Sequence, residues 1–139
     1  QLGTAAYLQT FNPSEQNLPQ SDLLLLELFI RQAKQQPQHL AVITPAKSLT
    51  YAELAERSSA LALRLKQLSV QPGHLIAVSM EKGWQQVVAV LGILTAGAAY
   101  VPIDPTLPQA RRWQLIEETK ANILLITSDR STSTIRKTT

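Results

Sequence analysis

Short runs of Val, Ile and Leu alternate with longer amphipathic segments in the second half of the chain. The runs predict strands over 75–80, 100–103 and 122–127, and the intervening segments predict helices over 84–96 and 108–120. Strands that are almost wholly apolar and are separated by helices are typical of a parallel sheet covered on both faces. We therefore predict an α/β fold, in which a layered, mostly parallel sheet carries helices on both faces.

A further helix is predicted near the start of the chain, over 23–36. Ser21 and Asp22 are suitable N-cap residues, and the proline that follows the segment prevents the helix from continuing. Apolar residues recur here at helical spacing, which predicts the face that packs on the core. The residues of this stripe and its flanks are Leu24, Leu25, Leu28, Phe29 and Arg31.

A capping box is predicted at the start of the next helix. Thr50 and Glu53 stand three residues apart, after two short β-prone runs over 40–44 and 48–51. The Thr50 hydroxyl can accept a hydrogen bond from the N–H of Glu53, while the Glu53 carboxylate accepts one from the N–H of Thr50. Leucines at helical spacing continue the helix as far as Leu68.

The segment 94–105 predicts a tightly packed corner between a helix and a strand. Its small residues permit close approach of another backbone, and Gly97 can adopt the left-handed conformation that ends many helices. Pro102 within a strand indicates a strand end, an edge or a bulge. Asp104 and Pro105 then open a constrained loop. No side chain in this corner supplies a group that catalysis requires.

Composition argues against several classes of protein. The formal charge is only +3, from 13 Lys and Arg against 10 Asp and Glu, and aromatic residues make up 5%. Basic residues gather only at Arg130, Arg136 and Lys137, so no nucleic-acid surface is predicted. No apolar stretch approaches the roughly 20 residues of a membrane span, so no membrane partner is expected. The absence of cysteine suits a cytoplasmic protein and removes disulfides and thiolate zinc sites.

The two ends of the chain differ in composition from its centre. Residues 1–20 are rich in Gln, Asn, Ser and Pro, which predicts an interdomain linker. Residues 129–139 are polar and weakly patterned, which predicts a loop or tail. The folded part is therefore expected over 21–128. Because the chain opens on Gln1 rather than Met, we expect it to be a portion of a longer polypeptide.

Other polar residues give weak functional signals. His39 and His74 lack the spacing of metal ligands. Glu117 and Glu118 are neighbours, so on a helix their carboxylates point in different directions. The turn 81–83 follows a predicted strand, on the side where open α/β sheets bind ligands. A plain strand-to-helix turn is the favoured interpretation of that segment.

Two segments resemble core motifs of nonribosomal peptide synthetase adenylation domains. Residues 49–54 resemble the first motif, L-T-Y-x-E-L, and 94–105 resemble the second, L-K-A-G-x-A-Y-V-P-I-D-P, which continues as D-P-x-x-P-x-x-R. The two motifs stand in the family's order and at about its separation. Thr95 occupies a position where lysine is common, and Leu107 one where an aromatic residue is common. The matching residues are Leu49, Thr50, Tyr51, Glu53, Leu54, Ala96, Gly97, Ala99, Tyr100, Pro102, Asp104, Pro105, Pro108 and Arg111.

The start of the chain resembles a linker of the same family. Phe11, Asn12 and Ser14, followed by Pro19, are similar to the aromatic-Asn-x-Thr pattern and proline that join a condensation-type domain to an adenylation domain. Ser14 replaces the usual threonine. The resemblance implies a condensation or heterocyclization domain upstream in the parent protein.

The resemblance also implies an activity for the complete domain. Such a domain binds ATP and Mg²⁺, forms an aminoacyl adenylate with release of pyrophosphate, and loads the acyl group onto the phosphopantetheine thiol of a carrier protein. The family's phosphate loop, its ribose-binding aspartate, the acidic residue that holds the amino-acid ammonium and the catalytic lysine match nothing within these 139 residues. We therefore expect a structural segment, with no catalytic, cofactor-binding or metal-binding residue, that is inactive without the remainder of the adenylation domain.

Two alternatives stay open. An acyl-CoA synthetase shares the first motif and the fold, although the residues of the second motif and the upstream linker favour a peptide synthetase. A non-catalytic, truncated adenylation-like module could instead serve as a scaffold or docking surface. The sequence does not indicate which amino acid the parent protein would activate.

Overall fold

The computed structural model describes residues 20–121 and 123–127, together with the backbone of 133–137. The predicted linker over 1–20 lies outside the described residues except for its last residue, which begins the first helix. The elements in chain order are α1 (Gln20–Gln35), β1 (Leu40–Ile43), β2 (Ser48–Thr50), α2 (Tyr51–Gln67), β3 (Leu75–Ser79), α3 (Trp84–Thr95), β4 (Ala99–Pro102), α4 (Gln109–Thr119), β5 (Ile123–Thr127) and β6 (Ser133–Lys137).

A four-stranded sheet in the order β4-β3-β5-β6 organises the second half of the chain. The strands β4, β3 and β5 are parallel, as the apolar runs predict, and β6 adds antiparallel to β5. The strands β1 and β2 form a separate antiparallel hairpin with an irregular register between Leu40 and Val42. The predicted α/β class, with a mostly parallel sheet, is confirmed.

Helices cover both faces of the parallel strands, and alternate residues of β3 show this directly. Ile76 and Val78 belong to a core that also contains the buried faces of α1, α2 and α3. Ala77 points to the opposite face, where it packs in a second core with Leu124 and with Ile116 of α4. Side chains along a strand alternate between its two faces, so a buried strand of this kind needs apolar residues at successive positions.

The helices α2 and α3 approach each other closely at Gly92. A Cβ placed on Gly92 would lie 2.7 Å from Cδ2, 2.9 Å from Cγ and 3.0 Å from Cβ of Leu61. Leu61 is itself buried, at 6% exposure. The missing side chain at Gly92 therefore admits the leucine of the facing helix, and this contact sets the separation of the two helices.

The first helix differs from its prediction in both its start and its buried face. It begins at Gln20, so Ser21 and Asp22 lie inside its first turn rather than capping it. The residues that it buries are Leu26, Phe29 and Ala33, whereas Leu24, Leu25 and Leu28 of the predicted core stripe are exposed. Six apolar residues occur within the seven positions 23–29, so periodicity alone does not decide which of them face the core.

A strand lies within the stretch predicted to be a loop or tail. Ser133–Lys137 pairs with β5 over its whole length, from Thr127 opposite Ser133 to Ile123 opposite Lys137. The physical reason is that β5 presents a free edge of backbone hydrogen-bonding groups, which the returning chain satisfies without an apolar pattern of its own. The prediction for 129–139 is therefore wrong at these five positions.

Candidate functional site

The first motif forms the corner between β2 and α2. The N–H of Glu53 donates to the Thr50 hydroxyl at 3.1 Å, and the N–H of Thr50 donates to the Glu53 carboxylate at 2.9 Å, which confirms the predicted capping box. The bond from the backbone N–H of Thr50, aided by its side chain and by Arg57 and Lys47, holds the pKa of Glu53 below its usual value. Both groups are used in ending the strand and starting the helix, so neither is free for chemistry.

The second motif forms the corner between α3 and β4. Gly97 has a φ of 85°, as predicted for a left-handed helix end. Its N–H donates to the Leu94 carbonyl at 3.0 Å, and the N–H of Ala98 donates to the Ile93 carbonyl at 3.1 Å. This pair of bonds is the Schellman arrangement, which satisfies the last carbonyls of the helix while the chain reverses. Ala96, buried at 4% exposure, closes the same turn.

The remainder of the second motif fixes the loop after β4. Pro102 ends β4, which lies at one edge of the described sheet, in agreement with its prediction. Asp104 accepts hydrogen bonds from the N–H of Thr106 at 2.9 Å and from its hydroxyl at 2.7 Å. These bonds hold the pKa of Asp104 below its usual value. Pro108 directly precedes α4, and Arg111 is exposed and donates to Gln114.

An apolar groove brings the two motifs together. Tyr51 and Leu54 of the first motif line it beside Tyr100 and Pro102 of the second, although about fifty residues separate the motifs along the chain. The helices α1 and α3 also line it, and α1 contributes two of its exposed leucines. The groove has a volume of about 910 Å³ and is lined mostly by apolar atoms. Its lining residues from the helices α1 and α3 are Leu25, Leu28, Phe29, Arg31, Gln32, Gln86, Val87, Val90 and Leu91.

Two residues at the ends of α3 have local structural roles. Thr95, where the resembling family commonly has lysine, is buried at 1% exposure, and its hydroxyl donates to the Leu91 carbonyl at 2.6 Å. Trp84 at the start of α3 is buried, and the cations of Lys47 and Arg57 lie 5.1 and 5.0 Å from the centroid of its ring. These two contacts connect the β1–β2 hairpin and α2 to the first turn of α3.

The side chains that could hold a metal ion are dispersed among the described residues. Among them, no three His, Asp or Glu side chains lie close enough to hold a metal ion. His74 accepts a hydrogen bond at Nδ1 from the N–H of Gln71, so it stabilises a turn. The five glycines are scattered and make no phosphate loop. We therefore derive no reaction step from the described residues. In the same part of the chain, no helix combines the length and apolarity that a bilayer crossing requires.

Comparison with known proteins gives consistent matches. A sequence profile described as AMP-binding enzyme matches residues 29–139. Gramicidin S synthase 2 of Brevibacillus brevis is 39% identical over 118 residues, which are 85% of this chain and 3% of that protein. Tyrocidine synthase 3 of Brevibacillus parabrevis is 42% identical over 104 residues, which are 75% of this chain and 2% of that protein. The chain therefore spans only a few per cent of the length of these curated relatives.

Solved structures share the fold. The nonribosomal peptide synthetase FmoA3 in its AMPPNP-bound form matches with a TM-score of 0.73 at 38% identity, over 94% of this chain and 14% of that one. The N-terminal subdomain of NpsA from Klebsiella oxytoca, in complex with anthranilyl-AMSN, matches with a TM-score of 0.68 at 25% identity, over 78% of this chain and 28% of that one.

Proposed function

The chain belongs to the AMP-binding enzyme family, and from that premise we propose that it is the N-terminal structural segment of a nonribosomal peptide synthetase adenylation domain. The complete domain activates an amino acid with ATP as an aminoacyl adenylate and transfers the acyl group to a carrier-protein thiol. Two relatives, gramicidin S synthase 2 and tyrocidine synthase 3, support this proposal, as does the fold that the chain shares with FmoA3.

The observation that carries the proposal is the convergence of both motifs on the apolar groove. Tyr51, Leu54, Tyr100 and Pro102 turn their surface toward one concave, mostly apolar space. Large apolar grooves on a folded surface mark places where other polypeptide packs. The motif residues thus have a common task, which is to build a seat for the remainder of the adenylation domain. That remainder would supply the groups that contact ATP, Mg²⁺ and the amino acid.

The same proposal names the partners of the complete protein. A carrier protein bearing phosphopantetheine would receive the acyl group, and an artificially fused adenylation–carrier didomain is among the solved structures that resemble this chain. A condensation or heterocyclization domain would lie upstream, as the segment 11–19 suggests. The proposed compartment is the cytoplasm, which suits a chain without cysteine.

Extension of the chain tests the proposed activity. The parent reading frame is sequenced beyond Thr139, and the longer product and the 139-residue chain are assayed for amino-acid-dependent ATP–pyrophosphate exchange. We expect a phosphate loop within a few dozen residues, and exchange by the longer product alone. Exchange by the 139 residues would overturn the structural role. A stop codon at that point would favour the scaffold alternative and refute the proposal.

Paired substitutions test the seat itself. Leu28 in the groove and Leu63 outside it are equally exposed here, at 49% and 51%. Leu28→Asp and Leu63→Asp should therefore leave the 139-residue chain about equally stable. In the longer product Leu28→Asp buries a charge, which costs several kcal/mol, so its exchange activity should fall at least tenfold while that of Leu63→Asp persists. Equal activity of both variants would refute the assignment of the groove.

A further inference from the structure

A second, polar cavity lies at the carboxyl ends of the parallel strands. It has a volume of about 370 Å³ and is walled by the turn that follows β3, by the end of β5 and by α4. Ser79 ends β3, Glu81 and Lys82 come from the turn, and Arg112 comes from the helix. None of the four belongs to the motifs discussed above, and the cavity shares no lining residue with the apolar groove.

The strand order places this cavity at a topological switch point. The chain leaves β3 for β4 on one side of it, and passes from β5 to β6 on the other. The strands that follow β3 and β5 along the chain therefore lie on opposite sides of this pair, and the cavity lies at the ends of the pair. In open α/β sheets, crevices outside the carboxyl ends of strands at such a point are where ligands bind.

The charges around the cavity favour an anion. Lys82 and Arg112 contribute two positive charges against the single negative charge of Glu81. The Nε–H of Arg112 donates to the Leu107 carbonyl at 3.1 Å, which fixes the side chain along the cavity wall. That bond uses one of the five guanidinium donors, and the four on the terminal nitrogens remain in the planar arrangement that suits phosphate and carboxylate oxygens.

The first turn of α3 lies beside the cavity, which Gln85 of that turn also lines. Its N-cap, Gly83, makes no side-chain capping bond, and no acidic residue lies in the first turn of this twelve-residue helix. A Cβ placed on Gly83 would meet nothing within 4 Å, so the approach to the turn is open. Uncapped N–H groups at a helix start attract anions through hydrogen bonds and through the helix dipole.

Ser79 supplies an independent observation that points to a ligand. It is buried at 6% exposure, and its Oγ has no hydrogen-bond partner among the described residues. Ser79 lies two residues after Ala77 in β3, so its side chain leaves the sheet on the face that α4 covers, and it lines the cavity. A buried hydroxyl without a partner costs about 1–3 kcal/mol, and an anion that reached the cavity floor would supply the missing acceptor.

We propose that this cavity binds an oxyanion of the phosphate class, held by Arg112, Lys82, the Ser79 hydroxyl and the N–H groups at the start of α3. The assignment rests on the geometry of this chain and does not depend on the proposed adenylation function. The anion is either free or the terminal phosphoryl group of a larger molecule. Its binding weakens with rising salt, because Lys82 is exposed to solvent.

Titration of the 139-residue chain tests the proposal. Inorganic phosphate, pyrophosphate, ATP and adenosine are added at low ionic strength, and binding is followed by calorimetry and by amide chemical shifts at residues 79–86. We expect saturable binding of phosphate or pyrophosphate and none of adenosine. ATP binding at the same amides would identify the terminal phosphoryl of a nucleotide as the source. Absence of saturable binding by every phosphate compound would overturn the proposal.

Matched variants localise the binding. Arg112→Gln should weaken phosphate binding about tenfold, since a charge-assisted bidentate contact is lost, whereas Arg111→Gln on the exposed side of the same helix should not change it. Ser79→Ala should weaken binding several-fold and also raise stability. Ser58→Ala removes another buried hydroxyl that has no partner among the described residues, and it should raise stability alone. Equal weakening by both arginine variants, or unchanged binding by Ser79→Ala, would overturn the site.

Discussion

Replacement of Gly92 by alanine should destabilise the chain, although alanine is the better helix former. The added Cβ would lie 2.7–3.0 Å from three successive atoms of Leu61. Rotation about the side-chain torsions of Leu61 moves its Cδ2 and Cγ but not its Cβ. The leucine therefore cannot escape the new methyl group by changing rotamer, and the helices α2 and α3 must separate.

The expected magnitude follows from two opposing terms. Alanine in place of glycine stabilises a helix interior by about 1 kcal/mol. Overpacking of a close-packed core costs about 1–3 kcal/mol, and the upper end applies here because a backbone shift is required. The net loss is then about 2 kcal/mol. For a chain of this length, about 4 °C is lost per kcal/mol, which gives a fall in Tm of about 8 °C.

Urea unfolding followed by circular dichroism measures the effect, with Gly83→Ala as the matched control. A Cβ at Gly83 meets no atom within 4 Å, so that variant should lose only the roughly 0.5–1 kcal/mol by which an N-cap disfavours alanine. In a Leu61→Ala background only the 3.0 Å contact with Cβ remains, so the loss of stability caused by Gly92→Ala should be smaller than in the parent chain. A neutral or stabilising Gly92→Ala in the parent chain would refute the reasoning, as would an equal loss in both backgrounds.

Three further predictions concern the first motif and its surroundings. Thr50→Ala removes the N-cap acceptor and should cost about 1 kcal/mol in urea unfolding. Because its pKa is lowered in the folded state, Glu53 contributes stability that is present above its ordinary pKa and is lost as the pH falls through the folded-state value. Glu53→Gln should therefore flatten the acid limb of a pH-dependent Tm series by lowering Tm near pH 7, while Tm at low pH changes little. Arg57→Gln should cost about 0.5–1 kcal/mol and shift the fluorescence of Trp84, measured in a Trp113→Phe background.

Each of these predictions has an outcome that contradicts it. An unchanged midpoint for Thr50→Ala would show that the capping box does not stabilise α2. An acid limb for Glu53→Gln as steep as that of the parent would assign the pH dependence to other carboxylates. Arg57→Gln with unaltered Trp84 emission would show that the guanidinium does not contact the ring in solution.

The sequence predicted the two motif corners because local chemistry determines both of them. The spacing of Thr50 and Glu53 is itself the signal for a capping box, and the bonds lie within four residues. Gly97 is similar, since a glycine after a helical segment is favoured where φ must be positive. The apolar runs of β3, β4 and β5 were predicted for a related reason, because a strand buried on both faces requires apolar residues at successive positions.

The features that the sequence did not predict depend on contacts between distant segments. The apolar residues of α1 surround much of its circumference, so only the packing of Leu26 and Phe29 identifies the buried side. The strand β6 is held by backbone pairing with β5, for which its own side chains give no pattern. Neither the apolar groove nor the polar cavity has a local signature, because each joins residues from at least four elements. The unpartnered hydroxyl of Ser79 becomes visible only when its neighbours are known.

The apolar groove also bears on how such a protein is made. A ribosome releases chain from the N-terminus at about 5–20 residues per second. On the proposed assignment, the leucines of α1 and the motif tyrosines emerge before the polypeptide that covers them, and every further hundred residues takes about 5–20 seconds to synthesise. During that interval the apolar groove of the nascent chain is exposed. It can then bind chaperones, or other nascent chains that are being translated from the same mRNA. The proposed seat for the rest of the domain is, during synthesis, also its first aggregation hazard.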